Sequence, residues 1–211
     1  MQSSLSGTGK IALAVQSTAA FGFCAHSGWA AMIVLGGAPA DLSVLARSRV
    51  ELIDDHDPES KQPYHAAEFL CVEEATGRLR GYLEVATAKA HAAIETQCAA
   101  VKQRGYPVKS VGIIESAARK EIALSSVLKS HALIHAAEGD HFRNALSAAA
   151  QGLGLRVCRI QARDLEGHAV SQLRLPLKSM LDTVNHLGRQ VGPPWGADQK
   201  KAALLAWTLL A

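Results

Sequence analysis

The chain has 211 residues, of which 48% are hydrophobic and 19% charged. That length is enough for one substantial core and predicts a single domain over 1–211; no stretch is both poor in apolar residues and strongly charged, which argues against disorder. A net charge of +3 permits nucleic acid as a partner but falls short of the concentrated basic patch of a dedicated binder.

Near the N-terminus, Lys10 precedes a short apolar run that Gln16, Ser17 and Thr18 interrupt. This is not the charged, apolar, small-residue order of a secretory signal, and the expectation is a cytoplasmic protein. Gly7, Gly9 and Lys10 do not make a phosphate loop, because Ser4 stands at the required first glycine and Ile11 follows the lysine where Ser or Thr should bind magnesium. Residues 11–15 and 29–35 are short apolar runs that fit buried strands, the second bounded by Gly28 and by Gly36 and Gly37. Residues 47–53 alternate polar and apolar, as a half-exposed strand does. Asp54, Asp55, His56 and Asp57 ahead of Pro58 read as a solvated turn rather than a metal loop.

From Tyr64 or His65 to about Arg104, apolar residues recur every three or four positions and predict one long helix, broken near Gly77 or Gly81. Gly105 and Pro107 stop it, and residues 108–114 give a fourth strand ending on Glu115. Residues 121–152 read as helical with a break at Gly139, and residues 155–160 as a fifth strand. The rest is helical except for a stiff turn at 192–196, where Trp195 is expected to pack on the sheet. The apolar C-terminal helix, with Leu204, Leu205, Trp207, Leu209 and Leu210, covers the sheet or forms a homodimer face, the first being the favoured reading. No apolar stretch approaches the roughly 20 residues of a membrane span, so a membrane is not expected as a partner. Cys24, Cys71, Cys98 and Cys158 include no Cys-x-x-Cys pair and read as free thiols.

The order βββαβαβα points to an α/β fold, a mixed sheet covered by helices. In that order and in local texture the chain resembles the ribonuclease-H-like superfamily, and within it the RuvC-type Holliday-junction resolvases. Residues 11–15 with Ser27, Gly28 and Trp29 are similar to the family's first hairpin. Residues 111–115 resemble its fourth strand, which ends on an acidic residue, and residues 144–160 its helix and edge strand. Asp198, opening the last helix, sits where the family places its final acidic residues. The resemblance implies a nucleic-acid- or nucleotide-binding protein with a metal-dependent phosphodiesterase site, in which Glu115 and Asp198 are the catalytic carboxylates and hold Mg or Mn. The first strand of such enzymes supplies an indispensable Asp; here a neutral Gln16 stands at that place. The alternative is a non-catalytic interaction or regulatory module of the same fold.

The densest polar segment, residues 130–143, supplies the candidate ligand-binding residues His131, His135, Glu138, His141 and Arg143. On a helix, His131 and His135 share a face with Glu138 one turn on, so they could converge on a zinc or manganese ion or on a phosphate. The competing reading, a histidine pair satisfied by its neighbours beneath the sheet, is favoured because no separate motif supplies further ligands. Ser17 and Ser116 lack the Gly-x-Ser-x-Gly elbow of a hydrolase nucleophile.

Overall fold

The structure is a computed structural model that describes residues 17–116 and 122–211. The apolar run at 11–15, Gln16 and the glycine-rich segment before them lie outside the described residues. Five strands form one sheet in the order β3-β2-β1-β4-β5. β1 (Thr18–His26), β2 (Trp29–Ala38) and β3 (Asp41–Glu51) are an antiparallel meander, whereas β4 (Val108–Glu115) and β5 (Arg156–Gln161) run parallel to β1. This is the mixed sheet that the element order implied.

The first strand is a correction. Residues 18–26, read above as the interval between two strands, form β1 and pair along their whole length with β2, from Thr18 opposite Gly37 to His26 opposite Trp29. The turn between them is Ser27 and Gly28, and Gly28 takes φ +83, a backbone region that suits glycine. Thr18 to Ala25 is almost wholly apolar and has no polar alternation to mark it as a strand, because both faces of the sheet are covered. β1 begins two residues after Gln16, which lies outside the described residues.

Helices cover the two faces. Phe21, Phe23, Met32, Val34, Val111 and Ile113 face α2 (Val72–Gln103) and α4 (His131–Gly152). Cys24, Ala31, Ile33, Leu35 and Ile114, one residue out of phase, face α5 (Leu165–Leu173), α6 (Leu177–Val191) and α7 (Ala197–Thr208). α7 can lie against the sheet because Gly22 and Gly112 are register partners on that face. A Cβ on Gly22 would stand 1.8 Å from the Ala202 carbonyl oxygen, and one on Gly112 would stand 2.5 Å from Leu205. Residues Ala202 to Thr208 are buried, so the C-terminal helix covers the sheet as favoured above. No helix among the described residues is long and apolar enough to cross a membrane.

Two expected helix breaks are absent. α2 runs through Gly77 and Gly81, whose Cβ positions meet nothing within 4 Å, and α4 runs through Gly139. A helical glycine costs about 1 kcal/mol, which the buried stripe of Leu79, Ala86, Ala90 and Ile94 outweighs. The interruption lies earlier, between the one-turn α1 (Pro63–Ala66) and α2, where no glycine or proline marks it. A further short helix, α3 (Leu124–Val127), precedes α4. Trp195 packs against the core on the α6–α7 face of the sheet, lies on Gly188 of α6 and donates to the Val184 carbonyl at 3.1 Å.

Candidate functional site

The C-terminal ends of β1 and β4 lie side by side, with Cys24 opposite Ile114. Strand alternation decides what each presents there. Cys24 and His26 point to the α7 face, where Asp198 enters from the first turn of α7. His26 Nε2 lies 2.8 Å from one Asp198 oxygen, and the Cys24 thiol donates to the other at 3.4 Å. Burial pushes the Cys24 thiol up to about 12, with the Asp198 charge acting in the same direction and Lys201 and Arg143 against it. Cys24 is thus a protonated hydrogen-bond donor and not a thiolate nucleophile. His26 stacks on Trp29 with ring centroids 4.3 Å apart, and the Arg49 guanidinium sits 3.9 Å from the Trp29 ring centroid.

Glu115 alternates with Ile114 and so turns to the α4 face. There Arg143 Nε approaches it at 3.2 Å, and Arg159 of β5 bonds its other oxygen. Arg143 is 7% exposed; it also reaches Asp140 at 2.5 Å and donates to the Ser116 hydroxyl at 2.8 Å. Arg159 donates in addition to the Asn144 side chain at 2.9 Å. Glu115 is consequently neutralised by two guanidinium groups, and its oxygens are engaged before any ion could reach them.

The two carboxylates expected to share a metal are therefore placed on opposite faces of the same sheet edge. Among the described residues, the group at this edge that offers ligand atoms within 4.8 Å of one another is Cys24, His26 and Asp198, which does not include Glu115. One carboxylate with a thiol and an imidazole is a poor donor set for hard cations such as Mg or Mn, which take oxygen ligands. The residues present do not fit a pair of such ions.

Residues 130–143 divide between two environments. His131 and His135 share one face of α4, with Nε2 atoms 3.0 Å apart, and His65 of α1 lies against them. Glu138 is buried and lies 2.8 Å from His65 Nδ1. His141 points into the core, packed edge-on against Tyr64 and Phe142. Burial lowers its pKa from 6.5 to about 4, opposed by a backbone hydrogen bond at Tyr82. Arg143 belongs to the sheet edge, about two turns beyond His135.

Sequence reasoning did not single out Cys24, His26, Arg159 or His65. The first two become legible once residues 18–26 are placed as a strand, because alternation from the apolar Phe23 puts Cys24 and His26 on one face. Arg159 and His65 carry no local signal; each is brought in by pairing or docking of a distant segment.

No protein-family model matches the chain, and no curated protein matches it. Among solved structures it is similar to Thermus thermophilus RuvC, at 13% identity and a TM-score of 0.49 over 90% of this chain and 92% of that one. It is also similar to T. thermophilus RuvC in complex with a Holliday junction substrate, at 14% identity and a TM-score of 0.47 over 90% of this chain and 91% of that one. A weaker likeness, 10% identity and a TM-score of 0.33, joins it to an Aquifex aeolicus member of the Ppx/GppA family, over 80% of this chain and 40% of that one. The architecture itself is a mixed five-stranded sheet in the order β3-β2-β1-β4-β5, flanked by helices. What this end of the sheet does has to be argued from its own side chains.

Proposed function

We propose that this ribonuclease-H-like chain binds nucleic acid or a nucleotide without hydrolysing phosphodiesters through a two-metal site. The observation that carries the second half is the pairing of Glu115 with Arg143 and Arg159, which puts fixed guanidinium charge where cleavage would need a free carboxylate. The first half is supported by the surroundings of that edge. Lys201 is exposed, and the exposed Arg49, which pairs with Glu51, lies over the Trp29 ring. Such cations suit phosphate, and an aromatic with a guanidinium suits a base or sugar. Mg or Mn in this reading is a counterion of the bound phosphates, not a ligand of Glu115.

The test pairs binding with cleavage. Fluorescence anisotropy with branched, duplex and single-stranded DNA and RNA should show binding that weakens with salt, and Arg49→Ala or Lys201→Ala should each lower the salt slope by about 0.9 on duplex DNA. The same substrates with Mg or Mn should stay intact. Cleavage that disappears in Glu115→Ala would establish an active metal site and overturn the non-hydrolytic reading. Absence of binding to every substrate would sink the nucleic-acid reading.

A second reading, an interaction module, is favoured by one observation. Phe69 is 93% exposed in the connection between α1 and α2, an aromatic of the type enriched at protein interfaces. It is tested by sedimentation of the wild type against Phe69→Ser; an unchanged monomeric mass for both would remove self-association as its basis.

A further inference from the structure

Away from the sheet edge, the described residues hold a second group of metal-ligating side chains. His65, His131 and His135 each offer one ring nitrogen, and these atoms lie within 4.8 Å of one another. Two of them follow from helical spacing, since residues four apart share a face. The third comes from another segment: Pro63 opens and buries the single turn α1, which docks on α4 and turns His65 toward the pair. Ring centroids are 4.4 Å apart for His131 and His135, 4.8 Å for His65 and His135, and 5.2 Å for His65 and His131.

Two details distinguish this group from a chance surface cluster. His131 and His135 face each other through their Nε2 atoms at 3.0 Å. A tetrahedral ion with metal–nitrogen bonds of about 2.0–2.1 Å holds neighbouring nitrogens about 3.3 Å apart, so the observed spacing needs only a small adjustment. The second detail is Glu138, 1% exposed, whose Oε1 lies 2.8 Å from His65 Nδ1 and whose Oε2 lies 4.0 Å from His135 Nδ1. It also accepts from the His65 backbone N–H at 3.3 Å. Among the described residues its ion-pair partners are these two histidines, with no Lys or Arg. A buried carboxylate is costly without positive charge nearby. A carboxylate that accepts a hydrogen bond from the Nδ1–H of a histidine fixes the tautomer whose Nε2 lone pair is free for a metal, and the ion then supplies the missing charge through the ring.

We propose that His65, His131 and His135 bind one zinc-class divalent ion through their Nε2 atoms, with Glu138 as the buried carboxylate that orients His65 and His135. An all-imidazole set selects a borderline first-row ion over Mg or Mn. Three protein ligands leave a fourth position on the solvent side, where His131 and His135 are exposed. The ion ties α1 to the first turns of α4, two segments that share no strand pairing. The site is separate from the sheet edge and stands whether or not that edge binds nucleic acid.

The experiment uses the full chain without an affinity tag, dialysed against micromolar zinc, with bound metal measured by mass spectrometry and Tm by calorimetry. One zinc per chain and a raised Tm are expected for the wild type. Both should be lost in His131→Ala, retained in Cys24→Ala, and reached in Glu138→Gln only at zinc concentrations about 10–100-fold higher. A metal-free wild type, full stoichiometry in His131→Ala, or loss in Cys24→Ala overturns the assignment, the last by placing the ion at the sheet edge. Cobalt loading of the wild type decides the matter if a variant fails to fold: tetrahedral absorption without a thiolate charge-transfer band supports the histidine site, whereas a thiolate band or no tetrahedral absorption refutes it.

Discussion

Acid should destabilise this protein through His141 in a window that its surroundings define. The ring is 4% exposed, its Nε2 has no hydrogen-bond partner among the described residues, and its pKa falls from 6.5 to about 4 because burial disfavours the imidazolium. Above pH 6.5 the ring is neutral in both folded and unfolded chains and contributes nothing to the pH dependence. Between 6.5 and about 4 the unfolded chain binds a proton that the folded chain refuses, so stability is lost as pH falls, and below about 4 the loss levels off. At about 1.4 kcal/mol per pH unit, the whole window removes about 3 kcal/mol, a large share of the 5–15 kcal/mol typical of a domain. Urea unfolding at intervals from pH 7.5 to 4 measures it, as the difference between wild type and His141→Gln, which cannot titrate. Subtracting the variant removes the contributions of other groups. The variant should be the less stable protein near neutrality through lost packing, and the gap should close or reverse toward pH 4.5. A gap that stays constant across the range would refute the buried neutral histidine.

Glycine substitutions should separate close approach from mere helix membership. Gly22→Ala forces α7 off the sheet, because the new methyl meets the Ala202 backbone at 1.8 Å, and should cost about 1–3 kcal/mol or more in thermal unfolding. Gly77→Ala meets nothing within 4 Å and should stabilise by up to about 1 kcal/mol; equal effects from the two would contradict the docking of α7. Thiol alkylation followed by mass spectrometry at pH 8 should modify the exposed Cys71 first, with Cys24 and Cys98 slow in the folded chain because burial raises them to about 12 and about 11. Rapid modification of Cys24 would show that its bond to Asp198 does not hold the thiol protonated.

Much of the architecture was legible in the order of residues. The strand ending on Glu115, the edge strand near residue 156, the long helix and the C-terminal helix all follow from apolar period and from the stops at Gly105, Gly154 and the 192–196 turn. β1 was missed because a strand covered on both faces has no alternation and residues 18–26 carry no turn signal at their start. The candidate sites divide in the same way. His131, His135 and Glu138 were visible together because helical spacing is local, and Asp198 because it opens a helix. His65 and Arg159 were not, since the first joins its partners across 66 residues and the second through the parallel pairing of β5 with β4.

The sequence by itself determined β2, β4 and β5 as strands and which helices bury a stripe, because those properties depend on the period of apolar residues within a dozen positions. Only the tertiary structure decided that Glu115 and Asp198 face opposite sides of one sheet edge, that Arg143 and Arg159 neutralise the first, and that His65 completes a set of three histidines. Those outcomes depend on register and on which helix docks on which face, and both are set by long-range packing that no local pattern records.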